Sequence, residues 1–314
     1  MSEMSPWLRG SAMLAATAIT WGGMFPIMKP LLGKIDPFTL TLVRFGFAAI
    51  VFILILLAAE GREAFATQGK TFRLWWLGTL GFAGFGLLLV LGLNNARPEH
   101  ASVVPALMPL ISIGIATVRT RTWPRSRAAT AVAIGIMGVI LVVTRGNPAT
   151  LLAGQAGQGE ALVFIGATCW VFYTLGAAEF PGWSGLRYTT LTISLGVLSV
   201  LAAELIALLV GAATIPTATV LLEATPQFSY LIFAASVMGF QFWNAGMRAL
   251  GPARGVLFIN LVPVTAFTIA LIGGHIPTGW EFLGVGLVIL ALALNSWTPK
   301  PKSKLVQAPP MTRT

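Results

Sequence analysis

The sequence is poor in charge and in side chains that perform covalent chemistry. Only 10% of its 314 residues are charged, whereas ordinary soluble domains carry about a quarter. Cys169 is the single cysteine, which excludes an internal disulfide, and there are two histidines. With 56% hydrophobic residues and a mean hydropathy of +0.83, the composition excludes a soluble enzyme, a nucleic-acid-binding module and a disordered chain.

Long apolar runs fill most of the chain. A helix needs roughly 20 apolar residues to cross a bilayer, while a barrel strand has about ten of alternating polarity, so the run length predicts helices. The first run is too long for a signal peptide and lacks its cleavage pattern. The ten predicted spans lie near residues 8–28, 37–59, 74–96, 99–118, 127–144, 161–178, 187–211, 228–249, 252–273 and 278–297.

The basic residues are distributed unevenly between the two sides that ten spans define. Of the 20 Lys and Arg residues, 15 fall at the termini and in the even-numbered loops, four fall in the odd-numbered loops, and Arg44 lies inside a span. Because positive charge gathers on the cytoplasmic side, both termini are predicted to be cytoplasmic in a bacterial inner membrane. The net charge of +10 therefore indicates topology and contact with membrane lipids, not nucleic acid.

The two halves of the chain resemble each other weakly. Residues 18–21 (AITW) match residues 167–170 (ATCW), and residues 103–109 match residues 257–263, which both end in proline. Since each half contains an odd number of spans, the second half must be inverted relative to the first, and such repeats place a substrate site near mid-membrane. The predicted organisation is a first repeat at 1–145, a periplasmic linker at 146–160, an inverted repeat at 161–298 and a disordered basic cytoplasmic tail at 299–314.

Several motifs resemble the drug/metabolite transporter superfamily in its EamA-type branch. They are WGGMFPIMK at residues 21–29, Asp36-Pro37 followed by Arg44, GPAR at residues 251–254 leading to NLVPV at 260–264, and Gly284. The resemblance covers the chain up to the tail. It implies ten helices in two inverted five-helix repeats and export of small metabolites or amino acids. The segment WNAG at residues 243–246 resembles the aromatic amino acid exporters of this superfamily.

One feature departs from the family pattern. Spans 4 and 9 often end in a Gly-Glu pair in the family, whereas His275 follows Gly274 here and the first half has Arg119 at the corresponding place. A role for that acidic residue is therefore not expected in this chain.

Prolines and aromatic residues near the span centres are the first candidates for a binding cavity. Pro109 and Pro263 occupy matching positions of the two halves, and a proline within a span frees a carbonyl that must face protein or a watery cavity. A simple packing kink is the alternative. The predicted aromatic lining, for which core packing is the rival role, consists of Trp21, Phe25, Trp170 and Tyr173.

The spans contain few other polar groups. Their amides offer both donors and acceptors, which suits an ammonium or a carboxylate, although hydrogen bonding between helices is an equally common role. The amide candidates for substrate binding are Asn95, Gln241, Asn244 and Asn260.

Arg44 and Glu204 are charged residues at similar depth from the outer side. Because an unpaired charge in hydrocarbon is expensive, they are predicted either to form a salt bridge or to snorkel. In the alternative, Glu204 carries a coupling proton. No other acidic residue is expected well inside a span, so facilitated or weakly coupled export is favoured.

Two other function classes are weaker. A membrane serine protease would need Ser184 to meet a histidine, but His100 and His275 are predicted on the other side of the membrane, and no zinc-protease or phosphate-loop motif occurs. A small-solute or ion channel, or a carrier of drugs or nucleotide sugars, remains open. No catalytic residue, metal or cofactor is predicted. The expected partner is a small-molecule substrate, and a homodimer is left open.

Overall fold

The computed structural model describes residues 5–124, 126–152 and 157–296. Within these residues there is no strand, so the predicted all-α fold is confirmed. Seven helices are long and apolar enough to cross a bilayer, and two shorter apolar helices follow. The predicted tail at 299–314 and residues 153–156 of the linker lie outside the described residues. The main helices are α1 Pro6–Met28, α2 Pro37–Glu60, α3 Thr71–Asn95, α4 Pro98–Thr120, α5 Ser126–Thr144, α6 Gln158–Gly176, α7 Gly185–Leu209, α8 residues 225–250, α9 Val256–Ile272 and α10 Gly279–Ser296.

Polar caps fix where the helices start. The Asp36 carboxylate accepts from the amides of Phe38 and Thr39 at 2.9 and 3.0 Å, and Pro37 supplies a first residue that needs no amide partner. Ser184 caps α7 in the same way. Gly61 ends α2 at a φ of 76°, which glycine adopts without strain.

The helices contain four irregular segments at corresponding places of the two halves. A nine-residue π-helical segment interrupts α3 at Thr79–Leu87, and another interrupts α8 at Tyr230–Met238. A 3₁₀ turn lies in α4 at Val104–Leu107 and at the start of α9 at Val256–Asn260. Such irregularities often mark functional positions in helices.

The 3₁₀ turns change the interpretation of the matched prolines. Pro109 is the second residue of the α-helical segment Met108–Thr120, and Pro263 is the third residue of Leu261–Ile272. The missing amide hydrogen of each proline therefore falls just after a 3₁₀ turn, in the first turn of an α-helical segment, where proline is well tolerated.

Glycines allow the helix axes to approach closely. A Cβ on Gly138 of α5 would lie 2.6 Å from the Gly284 carbonyl oxygen of α10. In α3, a Cβ on Gly81 would lie 2.9 Å from the Tyr173 ring, and a Cβ on Gly84 would lie 3.0 Å from the Cβ of Cys169. Small residues thus give the tight helix contacts that membrane bundles use in place of a hydrophobic driving force.

Helices that are consecutive in the chain alternate in direction, which defines two sides of the bundle. Gly10, near the start of α1, packs on Ala249 at the end of α8, whereas Trp21 packs on Gly239 at the middle of α8. We call the side on which α1 begins the N-terminal side and the other the far side. The loop between α6 and α7 lies on the N-terminal side, and the loop between α9 and α10 lies on the far side.

Candidate functional site

A cavity of about 300 Å³ extends from the middle of the bundle to the α6–α7 loop on the N-terminal side. Its mouth includes Trp183 and Ser184, both half-exposed. Among the residues that the structure describes, its wall contains no charged side chain. A solute in this space would meet aromatic faces and a few neutral polar groups.

Aromatic rings form the inner part of the cavity wall. Trp170 of α6 packs against Tyr173 at 4.9 Å between ring centroids and stacks on Phe240 of α8 at 5.5 Å. Trp21 of α1 packs on Trp243 of α8 at 5.2 Å. Three of the four residues predicted as the aromatic lining, Trp21, Trp170 and Tyr173, therefore meet in one cavity.

Hydrogen bonds hold several of these rings in place. The Trp21 indole donates to the carbonyl of Ala235 at 2.8 Å, within the π-helical segment of α8. The Tyr173 hydroxyl lies 3.3 Å from the Thr192 hydroxyl, and Tyr188 donates to the Tyr173 carbonyl at 2.7 Å. The side chains are thus preorganised, which lowers the entropic cost of binding a ligand between them.

A smaller chamber of about 40 Å³ lies beyond the cavity, deeper in the bundle. It shares Trp21, Trp170 and Phe240 with the cavity, and Phe25 and Arg44 line it. Phe25 is 1% exposed, so it belongs to this inner chamber and to the hydrophobic core together.

Arg44 and Glu204 do not pair. Arg44, which is 4% exposed, donates from Nε to the Ser236 hydroxyl at 3.0 Å and lies over the Phe45 ring. The Glu204 carboxylate lies 2.7 Å from the Thr39 hydroxyl, and its second oxygen has no hydrogen-bond partner among the described residues. The predicted salt bridge was therefore wrong, because Glu204 meets α2 at Thr39, five residues before Arg44, while Arg44 is directed toward Ser236 of α8.

The remaining predicted residues are divided between the cavity and its surroundings. Asn244 and Pro109 line the cavity. Asn95 is exposed at the end of α3, where its amide donates to the Leu91 carbonyl. Asn260 has a buried side-chain oxygen without a hydrogen-bond partner in the part of the chain that the structure describes. Neither cavity nor chamber is lined by Asn95, Gln241, Asn260 or Pro263.

A cluster of ionisable residues lies on the far side, where sequence reasoning expected no buried acid. His100 Nε2 is 2.7 Å from Glu281 Oε1, and His100 Nδ1 is 3.7 Å from Glu160 Oε1. His275 Nε2 is 3.6 Å from both Glu99 and Glu281. The exposed fractions of Glu99, Glu160 and Glu281 are 5%, 8% and 0%. We call these five residues the far-side cluster.

Three cations surround the far-side cluster. Arg145 Nε lies 3.3 Å from Glu281, and Arg97 lies 3.9 Å from Glu99. The Lys29 ammonium at the end of α1 donates to two carbonyls in the last turn of α3 and to one just after it, and it interacts electrostatically with Glu99 and Glu160. The cluster therefore connects the far-side ends of α1, α4, α5, α6 and α10.

One feature of the sequence, the position of the glutamates at helix starts, points to part of this cluster. All three glutamates stand within the first three residues of a helix, at Glu99, Glu160 and Glu281. Acidic side chains are favoured at helix starts, but only the packing of helices distant in sequence buries them against His100 and His275.

The far-side cluster also meets the spacing of a cation site. One ligand atom each from Glu99, His275 and Glu281 lies within 4.8 Å of the others. However, His100 and Arg145 already lie within hydrogen-bond distance of the same Glu281 oxygen. These contacts and the surrounding positive charge disfavour a metal ion.

Comparisons with known proteins agree with this architecture. The model of the EamA-like transporter family matches residues 8–144. The chain is 31% identical over 293 residues to the Bacillus subtilis (strain 168) protein named uncharacterized transporter YrdR, covering 91% of each chain. It is 25% identical over 285 residues to a Streptantibioticus cattleyicolor protein named as a probable terminal-alkyne amino-acid exporter, covering 90% of this chain and 91% of that one.

A solved crystal structure has a similar fold. Its TM-score is 0.61 at 22% identity, with 91% of this chain and 96% of that chain covered. Together with an all-helical bundle that has at least seven helices able to span a bilayer, these similarities identify a multi-pass membrane transporter. The chain belongs to the EamA-like transporter family.

Proposed function

We propose that this chain exports small amphipathic metabolites, amino acids among them, from the cytoplasm by alternating access. The observation that carries the proposal is the asymmetry of the bundle. The aromatic cavity reaches the N-terminal side at Trp183, while the far-side cluster ties the helix ends together on the other side through pairs such as His100 with Glu281. A carrier that faces one side with its other gate closed has this arrangement.

The irregular helix segments support two inverted five-helix repeats. The π-helical segments Thr79–Leu87 and Tyr230–Met238 fall in the third helix of each proposed repeat. The 3₁₀ turns Val104–Leu107 and Val256–Asn260 fall in the fourth. In inverted-repeat transporters, broken helices surround the substrate site, and one repeat rocks against the other around it.

The lining supports a substrate with an apolar or aromatic body. Stacked rings such as Trp170 and Phe240 favour a flat ligand, and Asn244 supplies an uncharged polar group at the wall. The relative named as a probable amino-acid exporter favours amino acids within this class. The excess of basic residues at the termini and even-numbered loops supports a cytoplasmic N-terminal side.

Transport and accessibility measured together would test the proposal. The single native cysteine is removed by Cys169→Ser. One cysteine is then introduced for labelling, either by Ala177→Cys at the cavity wall or by Ser102→Cys in the buried far-side end of α4. In proteoliposomes, the flux of a transported amino acid should saturate with concentration and show counterflow. Adding this amino acid should also change the labelling of the two introduced cysteines by an impermeant thiol reagent, in opposite directions.

A channel would behave differently in the same experiment. Flux that does not saturate, or labelling of Ala177→Cys and Ser102→Cys that rises together, would contradict alternating access. Absence of flux for every member of a panel of amino acids and small metabolites would contradict export of this substrate class.

A further inference from the structure

The guanidinium of Arg44 is buried without a carboxylate partner. Its neighbours are neutral: the Ser236 hydroxyl at 3.0 Å, the Met28 sulfur at 4.0 Å and the Phe45 ring at 4.8 Å from the guanidinium carbon. Within the described residues, no acidic group lies within 4 Å of it. A guanidinium carries five N–H donors, and these contacts engage only part of them.

Arg44 faces an open space and not only packed side chains. It lines the inner chamber of about 40 Å³, which corresponds to the volume of about three waters on this measure. A carboxylate group is of similar size. The chamber joins the large cavity at Trp21 and Trp170, so a ligand stacked on those rings could direct one end toward Arg44.

Arg44 places a positive charge beside a space whose other lining residues are neutral. In the described part of the chain, neither the cavity nor the inner chamber has another charged lining residue. Glu204, the acidic residue expected to neutralise Arg44, lies against Thr39 instead. The electrostatic environment of a bound solute is therefore dominated by one buried positive charge next to aromatic walls.

We propose that Arg44 binds the carboxylate of the substrate, and that the substrate class is small molecules with one carboxylate and an apolar or aromatic body. Arginine suits this task because its planar fork donates two parallel hydrogen bonds to a carboxylate, and burial strengthens them. An ammonium on the same molecule would lie over the faces of Trp21 or Trp170, which attract cations. Amino acids and simple carboxylic acids share the chemistry that Arg44 recognises.

This proposal rests on the proposed function for the meaning of "substrate", but its test requires no transport. Purified protein in detergent is titrated with 3-phenylpropanoate, its neutral match 3-phenylpropanamide, phenethylamine and phenylalanine, and binding is measured by calorimetry. Wild-type protein should bind the carboxylate at least about tenfold more tightly than the amide, since a hydrogen-bonded ion pair replaces a neutral contact. Comparing phenylalanine with 3-phenylpropanoate separates zwitterions from simple acids.

Variants distinguish binding from a purely structural role. Arg44→Gln should bring the carboxylate-to-amide affinity ratio to within about twofold, and Arg44→Lys should retain a preference for the carboxylate with lower affinity. Arg62→Gln, which removes an exposed arginine, should keep the wild-type ratio. An arginine that only connected α2 to α8 through Ser236 would alter the thermal stability of Arg44→Gln without changing the carboxylate-to-amide affinity ratio of that variant.

Three results would overturn the proposal. They are equal binding of 3-phenylpropanoate and its amide by wild-type protein, an unchanged ratio in folded Arg44→Gln, and tighter binding of phenethylamine than of either acid. Failure to bind any carboxylate, from acetate to indole-3-propanoate, would also overturn it. Carboxylate-selective binding without flux in proteoliposomes would instead contradict the proposed transport function and leave the Arg44 site standing.

Discussion

His100 and Glu281 lie 2.7 Å apart on the far side, although 181 residues separate them in the chain. His100 belongs to α4 and Glu281 to α10, which fall in different halves of the proposed repeat. Both are buried, and Arg145 adds a further contact to the same Glu281 oxygen at 3.3 Å. In the proposed alternating-access cycle, this contact would have to break for the far side to open.

Glu281→Gln should favour the conformation that opens on the far side. The amide keeps the shape of the side chain but removes the charge that attracts His100 and Arg145, so the closed cluster loses stabilisation. Labelling of Ala177→Cys from the N-terminal side should fall at least about threefold, and labelling of Ser102→Cys from the far side should rise.

Glu223→Gln provides the matched control for this variant. It breaks the exposed far-side pair with Lys34, whose side chains are 60% and 59% exposed, and such pairs contribute little. Equal labelling changes in Glu281→Gln and Glu223→Gln would show that the buried cluster has no special role as a gate.

The sequence predicted the bundle more accurately than the contacts within it. Run length and hydropathy alone identify the helices, because a bilayer imposes a fixed length of apolar residues. Local patterns also brought Trp21, Trp170 and Tyr173 to the cavity, since their spacing puts each on an inward face. These features depend on residues close together in the chain.

Pairing between distant helices was beyond the sequence. Arg44 and Glu204 have similar depth, but helix rotation turns Arg44 toward Ser236 and Glu204 toward Thr39. Rotation likewise keeps Gln241 off the cavity wall while Asn244, three residues later, lines it. Periodicity specifies which residues share a face, not which partner that face meets.

Trp170 should contribute to transport, and Gln241 should not. Trp170→Ala removes a ring of the cavity wall, and losing one stacking contact with a bound ligand corresponds to about a three- to tenfold loss in apparent affinity. Gln241→Ala should keep nearly wild-type rates. Trp76→Ala, which removes a tryptophan 43% exposed at the bundle surface, controls for loss of bulk. Unchanged initial rates of efflux from proteoliposomes with Trp170→Ala would contradict the assigned cavity.

Gly284 and Gly286 lie two residues apart on α10 but have different surroundings, and together they test the packing between α5 and α10. A Cβ on Gly284 would lie 2.5 Å from the Gly138 carbonyl oxygen, whereas a Cβ on Gly286 would meet nothing within 4 Å. Gly284→Ala should therefore destabilise the fold by about 1–3 kcal/mol through overpacking. Gly286→Ala should be neutral or slightly stabilising, because alanine favours helix more than glycine does.

Thermal unfolding in detergent micelles, followed by circular dichroism, would measure both variants. Both variants replace glycine by alanine on the same helix, so their effects on helix propensity are alike. A difference between their unfolding midpoints therefore reports contact with α5. Equal midpoints would mean that α5 and α10 separate enough to accept a methyl group. In that case the packing at Gly138 would not hold α5 and α10 rigidly together. The contact between Arg145 and Glu281 at the far-side ends of these helices would then not depend on it.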